Sequence, residues 1–317
     1  GDGAGMRISK VQLAGLAVAV FGVASNASAE DVTITTATTS PVATSDPVAA
    51  GPVAAGNVTL TTGGSITVTA GQSAVTLDSN NTVNNTSGSL LSNDADNTTG
   101  IRILGGNTGS VTNANIISML ENYTMTDTDS DGDLDGAWAT GTNRHGIFLQ
   151  AGPQFNGDIT NSGAITVEGN NSSGITLNAL LNGNLTHTGT ITLTGNNGSG
   201  IAINGGATGD VLLRGSGTIR GQNTSGIVVN GAIGGDLVIN GSWSVSGYHS
   251  IARPSNVTNL DADDLQQGGS AVAIHASVGG GVTIEGMGVE DDTDDDGDGI
   301  TETAGDTNDD LSATILS

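Results

Sequence analysis

Apolar and polar residues alternate in very short segments through the middle of the chain. Between residues 174 and 195 there are three such segments, Ile175–Leu177, Leu185–His187 and Ile191–Leu193, and each is followed within two residues by Gly or Asn. Alternation with a period of two is typical of β-strands that bury one face. The pattern therefore predicts an all-β chain of short strands that end at turns.

The three segments recur with a fixed period. Gly-Ile pairs begin at positions 174, 200 and 226, which are spaced by 26 residues. A second marker, Gly followed by Asp or Asn and an aliphatic residue, begins at positions 157, 183, 209 and 235, again spaced by 26. A period in the range of roughly 20–50 residues indicates supersecondary units stacked on one another.

Three strands per 26 residues describe one triangular coil of a right-handed parallel β-helix. Val, Ile and Leu would point inward and stack on their equivalents, while Thr and Ser point outward, and each coil adds about 4.8 Å. Gly and Asn suit the corners because they tolerate positive φ. Asn171, Asn197 and Asn223 share one corner at the 26-residue spacing. They predict a ladder of amide side chains with a structural role.

The repeat continues on both sides with interruptions. The first marker, or its Ala-Val equivalent, stands at positions 100, 146, 174, 200, 226 and 271, so insertions of 20 and 19 residues fall at the same corner of two coils. Function on a scaffold concentrates in such loops. The predicted solenoid covers residues 57–290. A flexible leader rich in Thr, Pro and Ala is expected at 30–56, and an acidic tail at 291–317.

The start of the chain has the three parts of a secretory signal. Arg7 and Lys10 precede an apolar run over Val11–Val23, and small residues follow at 27–29. The run is too short for a transmembrane helix. Residues 1–29 are therefore predicted to be a Sec-type signal peptide with a short upstream extension, which implies an exported protein.

Composition and charge exclude several classes of protein. The 317 residues include 51 Gly but only 2 Trp, 2 Tyr and 3 Phe, which argues against a conventional α/β enzyme or a helical bundle. The net charge of −25 argues against nucleic acid and anionic membrane surfaces as partners. With no Cys, the chain has neither disulfides nor thiolate metal ligands.

The sequence resembles the β-helical passenger domain of Gram-negative autotransporters. The resemblance rests on the signal peptide, on the segments 75–83 and 97–101, and on the recurring coil markers, and it covers roughly residues 57–290. It implies display at the cell surface or secretion, and a structural or adhesive module that contacts a host-cell surface, a matrix surface or a glycan. Such passengers precede an outer-membrane barrel. No barrel pattern precedes Ser317, so a fragment of a longer protein is expected.

Two acidic segments match each other at an offset of 165 residues. Both alternate Asp with other residues and include one Gly, which resembles the calcium loops of EF-hand-like and thrombospondin-type repeats. Neither has a Glu at the twelfth position, so a true EF-hand is not expected. The alternative is a solvated acidic loop that keeps the surface soluble. The predicted Ca²⁺ ligands are Asp127, Asp129, Asp131, Asp133, Asp292, Asp294, Asp296 and Asp298.

The alternative function is that of a polysaccharide-active β-helix enzyme, a lyase or a hydrolase. Asp158, Asp210 and Asp236 lie in one file at the 26-residue spacing, and stacked carboxylates can perform acid and base chemistry. Asn occupies the same file at position 184, which favours a turn position instead. The Arg residues at 214 and 220 are interpreted as solvated neighbours. His187 aligns with Leu213 and is expected to replace a core aliphatic residue. A purely structural stalk is a third possibility.

Overall fold

The structure is a computed structural model that describes residues 30–48, 54–128, 130, 134–249 and 262–285. It also describes the backbone of 290–293, 302–303 and 314–316. The regular elements of this part of the chain are all β-strands, stacked as the coils of a parallel β-solenoid of about eight turns. The predicted fold class, a parallel β-helix with coils of about 26 residues, is confirmed.

Each coil contributes three strands, one to each of three long parallel sheets. Coils 1–4 contain β1 (Val32–Ile34), β2 (Ala37–Thr38), β3 (Val42–Ala43), β4 (Val58–Leu60), β5 (Ser65–Val68), β6 (Ser73–Leu77), β7 (Thr82–Asn85), β8 (Ser89–Asn93), β9 (Thr99–Ile103), β10 (Ser110–Asn113), β11 (Ile116–Leu120) and β12 (His145–Leu149).

The later coils add short bridging strands to this plan. Coils 5–8 and the following segments contain β13 (Phe155–Asn156), β14 (Ile159–Asn161), β15 (Ala164–Glu168), β16 (Ser173–Leu177), β17 (Leu181–Asn182), β18 (Leu185–His187), β19 (Thr190–Thr194), β20 (Ser199–Ile203), β21 (Val211–Leu213), β22 (Ser216–Arg220), β23 (Ser225–Val229), β24 (Asp236–Ile239), β25 (Ser242–Ser246), β26 (Val272–Ile274), β27 (Gly281–Ile284), β28 (Glu290–Thr293), β29 (Glu302–Thr303) and β30 (Thr314–Leu316).

The three sheets follow the order of the coils. Sheet A runs β1-β4-β7-β10-β14-β18-β21-β24-β27, sheet B runs from β2 through β5 and β25 to β30, and sheet C runs from β3 to β26. In the regular coils the register advances by one period, as in Leu185 opposite Val211 and Ile175 opposite Ile201. Each coil therefore hydrogen-bonds mainly to the coils directly above and below it.

The core is a narrow column of aliphatic side chains. Ile175, Ile201 and Ile227 stack in register along sheet C and are fully buried, and their equivalents in sheets A and B are buried as well. The largest core side chain is Trp243, which packs against the Gly217 position of the preceding coil. A Cβ atom at Gly217 would lie 2.2 Å from that indole, so the large ring and the missing side chain are complementary.

Residues 30–48 differ from the sequence prediction, because they form the first coil rather than a flexible leader without a fold. Val32 and Ile34 of β1 lie in register with Val58 and Leu60 of β4. The Asp31 carboxylate accepts a hydrogen bond from the backbone N–H of Asn57 at 2.8 Å. The short alternating pattern of β1 has the same inward and outward positions as β4, and stacking on β4 buries Ile34.

The predicted corner ladder of Asn side chains is present and longer than expected. Asn171, Asn197 and Asn223 have φ of 53°, 57° and 57°, and Asn223 donates to Asn197 Oδ1 at 3.4 Å. Asn97 and Asn143 continue the file in coils 3 and 4, where Asn143 donates to Asn97 Oδ1 at 3.1 Å. Asn accepts the left-handed conformation more readily than other residues with a Cβ, which explains its use at this corner.

A second amide stack lies inside the solenoid. Asn85 donates to Asn113 and Asn113 donates to Asn161, both at 2.7 Å, and Asn161 lies 3.0 Å from His187 Nδ1. All four side chains are fully buried at the end of the sheet A strands. The register of His187 with Leu213 confirms that His187 replaces a core aliphatic residue. Burial lowers the pKa of His187 to about 4, although backbone groups of Ser216 and Asn161 act in the opposite direction.

Candidate functional site

The two long insertions leave the solenoid at one corner, between sheet B and sheet C, as predicted. Residues 121–144 connect β11 to β12, and residues 247–271 connect β25 to β26. We call the described parts of these two insertions the corner platform (residues 121–128, 130, 134–144, 247–249 and 262–271). In the regular coils the same corner needs only the four residues 195–198.

A buried arginine anchors the first insertion to the solenoid. Arg144 is 1% exposed, and its guanidinium lies 3.2 Å from both Glu121 and Asp96. It also donates to the backbone oxygens of Ala95 and Glu168, at 2.9 and 2.6 Å. Because Glu121 begins the insertion and Arg144 ends it, this ion pair closes the base of the loop.

The two insertions contact each other across the intervening coils. Trp138 of the first insertion is 6% exposed, and its Nε1–H donates to the backbone oxygen of Gly247 at 2.9 Å. The ring of His249 meets the Trp138 ring edge to face, with centroids 4.3 Å apart. Asp263 accepts from His249 Nδ1 at 3.1 Å and from the Gly136 backbone at 2.7 Å. The corner platform is therefore one packed surface built from segments about a hundred residues apart in the chain.

The corner platform has an open depression and exposed apolar side chains. A cavity of about 430 Å³ lies where Asp135, Gly136 and Asp263 of the two insertions face Asn196 of coil 6. On the same two insertions, Leu134 is 47% exposed, Tyr248 44% and Leu265 62%. Exposed apolar side chains beside acidic groups on one built surface are typical of a contact site for another molecule.

The predicted calcium ligands lie largely outside the described residues. Asp127 is described, and its Oδ1 accepts from the Ser130 backbone at 2.7 Å. The backbone of Asp292 lies in β28, and the predicted ligands Asp129, Asp131, Asp133, Asp294, Asp296 and Asp298 fall on residues that are not described. Within the described ranges no cluster of three or more His, Cys, Asp or Glu side chains could hold a metal ion. The calcium site stays a prediction.

The neck of the first acidic loop is closed by hydrogen bonds. Thr126 and Asp135 form an antiparallel bridge, and the Asp135 carboxylate accepts from the Thr128 hydroxyl at 2.6 Å and from its backbone N–H. Ser130 has φ of 65°, in the left-handed region. The loop therefore leaves the corner platform through a defined stem.

The file of carboxylates considered for catalysis has a different use in the structure. The Asp158 carboxylate accepts a hydrogen bond from the backbone N–H of Asn184 at 2.8 Å. In the same way, Asn184 Oδ1 accepts from the backbone N–H of Asp210 at 2.8 Å, and the Asp210 carboxylate accepts from that of Asp236 at 2.9 Å. Each side chain thus holds the start of the next coil. Because Asn performs this role as well as Asp, the interpretation as a turn position is supported. Arg214 and Arg220 are exposed.

Sequence reasoning missed Arg144, Trp138 and His249 as parts of the site. All three belong to the insertions or their borders, where no periodic pattern marks a position as inward or outward. One signal was available for the ion pair, since Glu121 and Arg144 stand at the two ends of the first insertion.

None of the family models, curated proteins and solved structures compared with this chain matches it. Within the described residues, no helix has the length and apolar character needed to cross a membrane.

Proposed function

We propose that this protein is an exported β-solenoid passenger that acts as a structural and adhesive module at the cell surface or in secreted form. One observation carries the proposal: the two insertions pack on each other through Trp138 and Gly247. An insertion that only interrupts a coil would not be expected to pack against an insertion from another coil. A surface assembled from two insertions is already organised for contact, which lowers the entropic cost of binding.

The partner that suits the corner platform is a host-cell or matrix surface. Leu134, Tyr248 and Leu265 supply exposed apolar contact area, and the acidic residues around them supply a polar rim. The net charge of −25 disfavours nucleic acid as the partner. In this proposal the solenoid places the corner platform at a distance from the bacterial surface, and an outer-membrane barrel, which the autotransporter resemblance implies, would anchor it.

We extend the proposal to calcium at the two matched acidic loops. Several carboxylates within nine residues repel one another at neutral pH, and a bound Ca²⁺ would replace this repulsion with oxygen ligands at about 2.3–2.6 Å. The absence of a Glu at the twelfth position suits weak sites that fill at millimolar extracellular calcium. In this proposal calcium orders the first loop beyond the stem formed by Thr126 and Asp135.

The test is binding of the purified chain to cultured animal cells and to immobilised matrix, in millimolar calcium and in chelator. We expect Leu134→Ser combined with Leu265→Ser to reduce binding at least tenfold, because both side chains are exposed on the corner platform. We expect Asp129→Asn combined with Asp294→Asn to abolish the heat of calcium titration and the effect of calcium on binding.

The matched control is Ile116→Ser, which removes a side chain of similar exposure (41%) from sheet B. This variant should bind as the parent does. Equal binding by the corner-platform variant and the control would contradict the adhesive role. A calcium titration without heat and without a change in melting temperature would contradict the metal sites.

A further inference from the structure

The side chains on the outer face of sheet C differ in size between coils 3–4 and coils 5–7. By strand register, Arg102 lies beside Phe148, and His145 lies beside Ser173 of the next coil. The equivalent positions of coils 5–7 hold only small or short side chains, namely Ser173, Thr176, Ser199, Ala202, Ser225 and Val228. The larger side chains are therefore concentrated on coils 3 and 4, although the backbone plan is the same.

These larger side chains surround an open groove. Its volume is about 280 Å³, and Arg102, His145, Phe148 and Gln150 line it. The rings of His145 and Phe148 stack at a centroid distance of 4.6 Å and an interplanar angle of 28°. Arg102 donates to Gln150 Oε1 from Nε at 2.8 Å and also from Nη2. The groove thus combines a flat ring surface with a held guanidinium and an amide.

Ser173 and Thr176 of the next coil fix the orientation of the His145 ring. Its Nδ1 lies 2.7 Å from the Ser173 hydroxyl, and Thr176 in turn donates to that hydroxyl at 2.6 Å. Ser173 can therefore donate its own hydrogen to Nδ1, and the ring hydrogen then resides on Nε2. Burial lowers the pKa of His145 to about 4, so the ring is neutral near pH 7. A neutral ring with one N–H donor is suited to a hydroxyl group.

The groove differs in charge from the rest of the molecule. The chain has 32 Asp and Glu against 7 Lys and Arg, yet no carboxylate lines the groove. A guanidinium has five N–H donors, and Arg102 uses two of them on Gln150. The other three have no acceptor among the described residues. The groove therefore suits a ligand that presents an anionic oxygen to Arg102.

We propose that this groove binds an acidic sugar, a pyranose unit that carries a carboxylate. The C–H face of a pyranose packs against flat rings such as the His145–Phe148 pair, and a carboxylate matches the donor geometry of Arg102. Asn97, Asn143 and Gln150 supply side-chain amides for the hydroxyl groups. The volume lies near the lower end of ligand sites, roughly 300–1,000 Å³, which fits one or two sugar units.

This sugar site meets the corner platform only at Asn143. Its ring pair and guanidinium lie on the strands β9 and β12, whereas the apolar side chains proposed for adhesion, Leu134, Tyr248 and Leu265, lie on the insertions. Loss of one therefore leaves the other in place, and the two proposals can fail independently.

The test is calorimetric titration of the whole chain with two tetrasaccharide probes. One alternates glucuronate and N-acetylglucosamine, and the other contains N-acetylglucosamine alone. We expect the acidic probe to bind at least tenfold more tightly. Arg102→Gln should remove that preference. Phe148→Thr, which introduces the residue type that coil 5 has at this position, should weaken binding of both probes at least tenfold.

The matched control is Arg220→Gln, which removes an exposed guanidinium from sheet B and should leave both dissociation constants unchanged. The melting temperature of each variant reports its folding, and Phe148→Thr keeps the test valid if Arg102→Gln is unstable. The proposal is overturned if the parent does not prefer the acidic probe, or if a short single-stranded oligonucleotide binds more tightly than that probe. It is equally overturned if folded Arg102→Gln retains the preference.

Discussion

Coil 4 and coil 6 share one backbone plan and differ at the corner between sheets B and C and on the outer face of sheet C. Both contain three strands in the same sheets, with Ile147 and Ile201 buried at the same inward position. In coil 6 a four-residue turn joins β19 to β20, whereas in coil 4 the insertion 121–144 stands at this corner. The comparison teaches that the inward positions of the coils can repeat while one corner and one outer face carry other tasks.

The largest effect on the unfolding free energy is expected at Arg144, which ends the insertion that distinguishes coil 4. Arg144→Ala leaves the Glu121 carboxylate, 2% exposed, without its cation. Breaking a buried ion pair costs about 3–5 kcal/mol of unfolding free energy, and we expect a loss of this size in denaturant titration.

The regular coils supply the control for this change. Arg220→Ala removes an exposed guanidinium from coil 7 and should change the unfolding free energy by less than about 0.5 kcal/mol. If Arg144→Ala lowers the unfolding free energy as little as Arg220→Ala does, the ion pair at the base of the insertion adds nothing to stability.

The next largest effect is expected at His187, where the buried amide stack of sheet A meets the aliphatic residue Leu213 of the next coil. Burial lowers the pKa of His187 from its ordinary value of 6.5 to about 4 in the folded chain, so the unfolded chain binds more protons between these values. Stability is therefore full above pH 6.5 and falls as the pH drops towards 4. A difference of this size corresponds to about 3 kcal/mol. His145 adds a loss in the same window.

His187→Leu, which introduces the residue of coil 7 at this position, should remove the His187 part of the loss and leave the His145 part. The measurement is the unfolding free energy as a function of pH. His275→Leu changes an exposed residue and serves as the control. A pH profile of His187→Leu that overlays the parent would show that His187 does not cause the loss.

The smallest effect concerns the corner that coils 4 and 6 share. Asn197 has φ of 57°, and Ala in this conformation costs about 1–2 kcal/mol. We expect Asn197→Ala to lower the melting temperature, whereas Asn197→Gly should have little effect because Gly accepts positive φ. Thr192→Ala, at an exposed strand position, is the matched control. Equal shifts for Ala and Gly at position 197 would rule out backbone strain as the cause.

The periodic part of the fold could be predicted from sequence, because each inward position repeats every 26 residues. The first coil was missed since it lacks the Gly-Ile marker, although Asp31 and Asn57 stand one period apart and perform the same role. The contact between Trp138 and Gly247 could not be predicted. It joins two non-repeating loops, and only their packing brings those residues together.

The link between Trp138 and Gly247 also changes how the solenoid would come apart. In a plain stack of coils each unit separates from its neighbour independently, so the stack can open at any point along its axis. The two insertions form a bracket parallel to that axis, fixed at coil 4 and at coil 8. Coils 5–7 lie inside the bracket, so their lengthwise separation also requires its contacts to break. Under tension along the axis, coils 4–8 would yield as one mechanical block, whereas coils 1–3 would peel away one at a time.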